Sequence, residues 1–286
     1  MAHLAIAALQ LELGVEDNLS IIENEIRLVK KRFPWIQMVV LPELCTFGPS
    51  PDLAVRMPGE VENCFRTAAQ ENDIWLIPGS IFERDGDKIY NTAPVINPAG
   101  EVIARYRKHF PFRPYEKGIS SGEEFVVFDI PGVGRVGLLI CFDMWFPEMV
   151  RTLAWMGAEA IICPTLTNTV DRDIELTMAQ SHGVTNQLYF LNVNSAGRLG
   201  FGRSIFVGPD GKVIHQASAA REIINVEVDF ARVRRLRERG SFGLTQTLKA
   251  FRDHPVPYPP YVDGQADPGA FAELGPLAMP EQEKLK

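Results

Sequence analysis

Gly137-Leu138-Leu139-Ile140-Cys141-Phe142-Asp143-Met144-Trp145-Phe146-Pro147-Glu148 changes character within a dozen residues. The apolar run from Val136 to Ile140 is short and uninterrupted, as in a strand buried on both faces. A helix is predicted from about Pro147 to Met156, since proline suits the first helical turn. Cys141 thus stands where a buried strand hands over to a helix. Just upstream, Gly132-Val133-Gly134-Arg135-Val136-Gly137 matches GxGxxG, but a dinucleotide fingerprint follows a strand and opens a helix. Here the glycines precede the strand, so they read as the turn that feeds it.

Working outward, short buried strands recur. Residues 3–9 run apolar, and Asp17-Asn18 can cap a helix with Leu19, Ile22, Ile26 and Val29 on one face. Met38–Leu41 and Ile74–Ile77 read as strands, as do Val102–Lys108, Ile161–Cys163 and Leu188–Val193, with a helix predicted over Asp173–Asn186. Asp85-Gly86-Asp87, Asn97-Pro98-Ala99-Gly100 and Pro209-Asp210-Gly211 are turn signals, and strands are predicted over Ser204–Val207, Val213–His215 and Glu222–Val228. Strands mixed with helices and several hairpins predict an α/β sandwich of mixed sheets rather than a doubly wound parallel sheet.

Three of these buried strands end in complementary chemical types: Leu41-Pro42-Glu43 in a carboxylate, Tyr106-Arg107-Lys108 in an ammonium, and Leu139-Ile140-Cys141 in a thiol. Side chains at strand C-termini emerge into crevices in mixed α/β folds. A thiolate can attack a carbonyl, a carboxylate can move the protons, and an ammonium can stabilise thiolate and oxyanion, so the set suffices for acyl transfer. Each type also serves structure alone: free cysteine is commonly buried, Glu43 can cap a turn, and Lys108 can guard a sheet edge.

Composition narrows the alternatives. A net charge of −7 argues against nucleic acid or an anionic membrane as the main partner. The basic run Arg232–Arg239 reads as a solvated helix face. No apolar run approaches the roughly 18 residues of a membrane span, and the N-terminal stretch reads as a strand rather than a leader, so a cytoplasmic protein is expected. Cys45, Cys64, Cys141 and Cys163 show neither CxxC spacing nor a disulfide framework, and the histidines are scattered, so no metal site is expected. After Phe251 the chain turns Pro-rich, which divides it into a 1–250 domain and a 251–286 C-terminal extension.

Taken together, Leu41-Pro42-Glu43-Leu44, Tyr106-Arg107-Lys108-His109 and Gly137–Glu148 resemble, in order and spacing, the three signature blocks of the nitrilase (carbon–nitrogen hydrolase) superfamily. Gly202-Arg203-Ser204 through Pro209-Asp210-Gly211 is similar to a later segment of that family, and the resemblance covers roughly residues 3–230. It implies a four-layer αββα sandwich of two mixed β-sheets, a homodimer or higher homo-oligomer, and no cofactor. It implies Cys141 as nucleophile with Glu43 and Lys108, and a second glutamate after the lysine. Glu116 fits that place better than Glu123 or Glu124, which belong to a turn before the next strand. Cys-Phe-Asp resembles amidases and carbamoylases more than nitrilases, so a small amide is the expected substrate. An N-carbamoyl amidohydrolase, a nitrilase and a non-catalytic binding module are the alternatives. Tyr115, Phe142, Trp145 and Asn168 flank the strand ends and are candidates for the substrate pocket. Trp145 equally suits core packing.

Overall fold

The first strand, β1 (His3–Gln10), shows why the chain builds layers: it is apolar on both faces, and its two faces enter different cores. Leu4, Ile6 and Ala8 point into one core and Ala7 and Leu9 into another, the alternation that a sheet buried on both sides imposes. The computed structural model describes residues 2–113 and 115–258. In chain order the elements after β1 are α1 (Leu19–Arg32), β2 (Met38–Val40), α2 (Glu60–Glu71), β3 (Trp75–Ile77), β4 (Ile81–Asp85), β5 (Lys88–Ile96), β6 (Val102–Arg107) and β7 (Ile119–Ser120). Next come β8 (Val126–Ile130), β9 (Gly134–Leu138), α3 (Pro147–Trp155), β10 (Ala160–Thr165), α4 (Arg172–Asn186) and β11 (Tyr189–Asn194). The last are β12 (Ile205–Val207), β13 (Val213–Gln216), β14 (Glu222–Asp229), α5 (Phe230–Arg239) and α6 (Thr247–Asp253).

Two mixed sheets result. The first runs β14-β1-β2-β3-β5-β4, with β6 and β7 also paired to β5. The second runs β13-β12-β11-β10-β9-β8. In each, a parallel centre (β1-β2-β3 and β9-β10-β11) is flanked by antiparallel strands. One core brings Leu4, Ile6 and Val40 together with Val136, Leu138 and Ile162, and so lies between the sheets. The same cluster takes in Met149, Val150 and Leu153 of α3 and Leu176 and Ala179 of α4. Ile22, Ile26 and Val29 of α1 and Phe65 and Ala69 of α2 pack with Ala7, Leu9 and Val39 on the other face of the first sheet. The order is helices, sheet, sheet, helices: the αββα sandwich.

The turn signals lie where the strands reverse: Gly86 between β4 and β5, Asn97–Gly100 between β5 and β6, and Asp210-Gly211 between β12 and β13. The GxGxxG stretch turns β8 into β9, with Gly132 at φ +73°. Two local expectations need correction. Asn18 does not cap α1 with its side chain; it is buried and donates to the carbonyls of Gly14, Glu16 and Cys45, while Asp17 accepts from the Leu19 N–H. The basic run is not a wholly solvated face. Arg237 is half-buried and donates to the carbonyls of Gln187, Ala158 and Asn186, and burial lowers its pKa to about 10. The domain boundary drawn at residue 250 falls inside α6, whose Thr247 hydroxyl donates to Thr185 O of α4. Phe251 packs edge-on against Trp155, and the extension beyond Tyr258 lies outside the described residues.

Candidate active site

The carboxylate, ammonium and thiol do converge, although two of them lie beyond the strands that carry them. Lys108 follows β6 directly, whereas Glu43 stands three residues past β2 and Cys141 three past β9. The extra residues matter because they carry the chain out of the sheet. The Leu41 N–H still pairs with Ile77 O, and the Leu44 N–H reaches the Ser80 hydroxyl. Gly79, at φ +74°, lets the neighbouring chain pass: a Cβ there would lie 1.8 Å from the Pro42 carbonyl oxygen.

Cys141 opens a 3₁₀ turn, Cys141–Trp145, with φ +45°, a left-handed conformation that costs a non-glycine residue energy. Asp143 holds that turn. Its carboxylate accepts from Ile140 N at 3.0 Å, Phe110 N at 2.9 Å and the Tyr106 hydroxyl at 2.7 Å, tying both strand ends to one side chain. Burial pushes the Asp143 carboxyl up to about 6 against the opposing pull of Lys108 and these donors. On the far side of the turn, His182 Nε2 donates to Met144 O at 2.7 Å.

At the centre, Lys108 Nζ donates to Glu43 Oε1 and to Glu116 Oε2, both at 2.8 Å. Asn91, a polar residue inside β5, donates to Glu43 Oε1 at 2.8 Å and to Glu116 Oε1 at 3.1 Å. Glu116 also accepts from the Phe112 N–H. The Cys141 thiol feels the charges of both Glu43 and Lys108. Lys108 is 1% exposed, Glu43 3% and Cys141 8%, so the group is withdrawn from bulk water.

Their hydrogen-bond donors divide the two carboxylates. Burial raises the Glu43 pKa, with the nearby Glu116 charge adding and Lys108 opposing. Burial also raises Glu116, but Lys108, Phe112 N–H and Asn91 outweigh it and bring it below the ordinary value. For Lys108 the desolvation cost is exceeded by Glu43 and Glu116, which hold it protonated. Burial and Glu43 drive the Cys141 thiol well above its usual range. The arrangement therefore keeps a fixed ammonium and a fixed carboxylate beside a carboxylate and a thiol between which one proton can move.

The structure distributes the other sequence candidates unevenly. Phe142 lies among Phe112, Trp145 and Phe146, with ring centroids 4.9, 5.9 and 5.4 Å away, and forms an aromatic wall beside Cys141. Tyr115 is 71% exposed and stacks on Phe112 at 5.2 Å. Asn168 turns its amide to Arg198 O at 3.1 Å; its neighbour Thr167 is the residue that meets Cys141 Sγ, at 3.7 Å. Glu123 and Glu124 line a separate cavity of about 470 Å³ with Arg105 and Arg107, away from this cluster. Among the described residues, no set of three His, Cys, Asp or Glu side chains gathers as a metal site. Sequence reading missed Asn91, Thr167 and Glu175; the signals were a polar residue inside or just after an apolar strand for the first two, and an i,i+3 Arg172–Glu175 spacing in a helix for the third.

Residues 4–238 match the carbon-nitrogen hydrolase family. The chain belongs to that family. As a carbon–nitrogen hydrolase it acts on carbon–nitrogen bonds, in agreement with the nitrilase-superfamily resemblance of its three blocks. It is 32% identical to omega-amidase NIT2 of Homo sapiens, over 71% of this chain and 80% of that protein. Its fold superposes on Saccharomyces cerevisiae Nit3, a nitrilase-superfamily member, with a TM-score of 0.77 at 31% identity, covering 83% of this chain and 94% of Nit3. A cysteine-to-alanine mutant of the amidase from Nesterenkonia sp. AN1, in complex with butyramide, gives 0.74 at 25% identity, covering 83% and 95%.

Proposed function

We propose that this hydrolase is an amidase that converts a small carboxamide to its acid and ammonia through a thioester on Cys141. The observation that carries the reading is the buried contact of Lys108 with both Glu43 and Glu116 beside the Cys141 thiol. The similarity to omega-amidase NIT2 and to the butyramide-bound amidase supports an amide over a nitrile.

Glu43, whose raised pKa suits a proton carrier, takes the thiol proton as sulfur forms its bond to the carbonyl carbon. Charge develops on the carbonyl oxygen, where the Lys108 ammonium and the Phe142 N–H stabilise it. Glu43 returns the proton to the nitrogen, the carbon–nitrogen bond breaks and ammonia leaves. Water then gives a proton to Glu43 and attacks the thioester; the acid departs, and the proton goes back to sulfur. Glu116 remains ionised and holds Lys108 and Asn91 in place.

The test is ammonia release by the purified protein and by Cys141→Ala, with short aliphatic carboxamides, N-carbamoyl compounds and nitriles. Release from carboxamides by the wild type alone is expected. Turnover by Cys141→Ala overturns the nucleophile, and turnover of N-carbamoyl compounds in place of carboxamides overturns the substrate class.

A further inference from the structure

The sulfur of Cys141 has a second polar neighbour, carried by the second sheet rather than the first. Thr167 Oγ1 lies 3.7 Å from Sγ and donates to Glu175 Oε1 at 2.9 Å. Glu175 Oε2 is paired with Arg172 Nη1 at 2.8 Å, one helical turn back on α4. Each Arg172 nitrogen is also engaged with Asn192 Oδ1 at 2.7 Å (Nη1), Gly202 O at 3.2 Å (Nε) or Arg203 O at 2.6 Å (Nη2). Arg172 and Glu175 are each 2% exposed, so this is a charged pair in the interior whose every strong group is satisfied. The proposed mechanism uses none of these residues.

Hydrogen counting sets the direction of the chain. Glu175, ion-paired to Arg172, can only accept, so the single Thr167 hydroxyl hydrogen is committed to it. Thr167 then presents lone pairs to sulfur, and in the Sγ–Oγ1 contact the thiol is the donor. A thiolate there would lose that hydrogen bond and face the oxygen lone pairs with the Glu175 charge behind them.

We propose that Thr167, Glu175 and Arg172 form a positioning chain that holds Cys141 as the neutral thiol between turnovers and fixes the direction of its sulfur. The chain makes the thiol give up its proton only as the substrate carbonyl takes up the charge, and it spares the resting sulfur from adventitious alkylation and oxidation. It rests on the reading of Cys141 as nucleophile. The groups that face the sulfur are Glu43 from the end of β2, Lys108 from β6, Glu175 from α4 and the Leu166 N–H that follows β10. Burial, Glu43 and Glu175 disfavour the thiolate; Lys108 and Leu166 N–H favour it.

The measurement is the pH dependence of Cys141 alkylation by iodoacetamide without substrate, located by peptide mass. Cys64→Ser removes the half-exposed thiol, while Cys45 and Cys163 are buried and their thiols pushed up by burial, Cys45 to about 12. The wild-type midpoint is expected above the usual value of about 8.5. In Thr167→Val it falls by about one pH unit, so alkylation at pH 7.5 rises about tenfold, whereas Thr167→Ser keeps the wild-type midpoint. Thr167→Ala replaces the valine variant if that one does not fold. A wild-type midpoint below 8.5, or no fall on removing the hydroxyl, overturns the proposal; a purely structural Thr167 would lower the melting temperature and leave the midpoint in place. Because alkylation needs no turnover, failure to hydrolyse amides would remove the amidase reading and leave this result standing.

Discussion

The sulfur of Cys141 sits between two buried charged clusters of opposite design. On the side built by the first sheet, one ammonium serves two carboxylates, so the cluster carries an unbalanced negative charge and one of its carboxylates has a raised proton affinity. On the side built by the second sheet and α4, Arg172 and Glu175 cancel each other, and each nitrogen of the guanidinium group has an acceptor. The difference teaches that burying charge serves two ends. An unbalanced cluster leaves a proton free to move, whereas a balanced one fixes geometry.

The comparison can be broken first on activity. Glu43→Gln should fold normally and lose about a thousandfold or more in kcat/KM, because it removes the only group assigned to carry the proton. Thr167→Val should lose about tenfold or less, as befits a residue acting through the sulfur's position. Equal losses in steady-state kinetics would erase the distinction between the two sides.

Stability sharpens the same contrast. Arg172→Met leaves Glu175 buried without its partner and should cost about 3–5 kcal/mol in urea unfolding, whereas Arg172→Met with Glu175→Leu should recover most of it. A double variant as unstable as the single one would mean that Arg172 acts through its carbonyl contacts alone. The smallest expected effect concerns Asp143, which braces the turn between the two sides. Its folded carboxyl, raised by burial to about 6, keeps its proton to higher pH than the unfolded one, near 3.9. Its contribution to stability is therefore greatest below pH 4 and is lost as pH rises through 6, by about 2–3 kcal/mol. Asp143→Asn should flatten that part of the pH–stability curve, and an unchanged slope between pH 4 and 7 would reassign it.

Much of the fold was legible because two-sided burial writes continuous apolar runs, and the reversals are marked by Asp85-Gly86-Asp87, Asn97–Gly100 and Pro209-Asp210-Gly211. The GxGxxG stretch shows why context had to accompany the letters: the same glycines that would open a helix around a phosphate here turn β8 into β9. Asn91, Thr167 and Glu175 were illegible for the opposite reason. Asn91 and Thr167 are single polar residues whose partners lie many residues away, and Glu175 with Arg172 reads as an ordinary i,i+3 surface pair until the fold buries it.

By itself the sequence determined the mixed-sheet α/β class, the membership in a carbon–nitrogen hydrolase family, and the chemical types at the strand ends, since all three rest on local pattern and spacing. The tertiary structure alone decided which acceptors share the Lys108 ammonium, that Cys141 takes a left-handed turn clamped by Asp143, and that a neutral chain from α4 reaches its sulfur through Thr167. Those are properties of distance and desolvation. They exist only once both sheets have closed over the site and removed the water that would otherwise have satisfied each group separately.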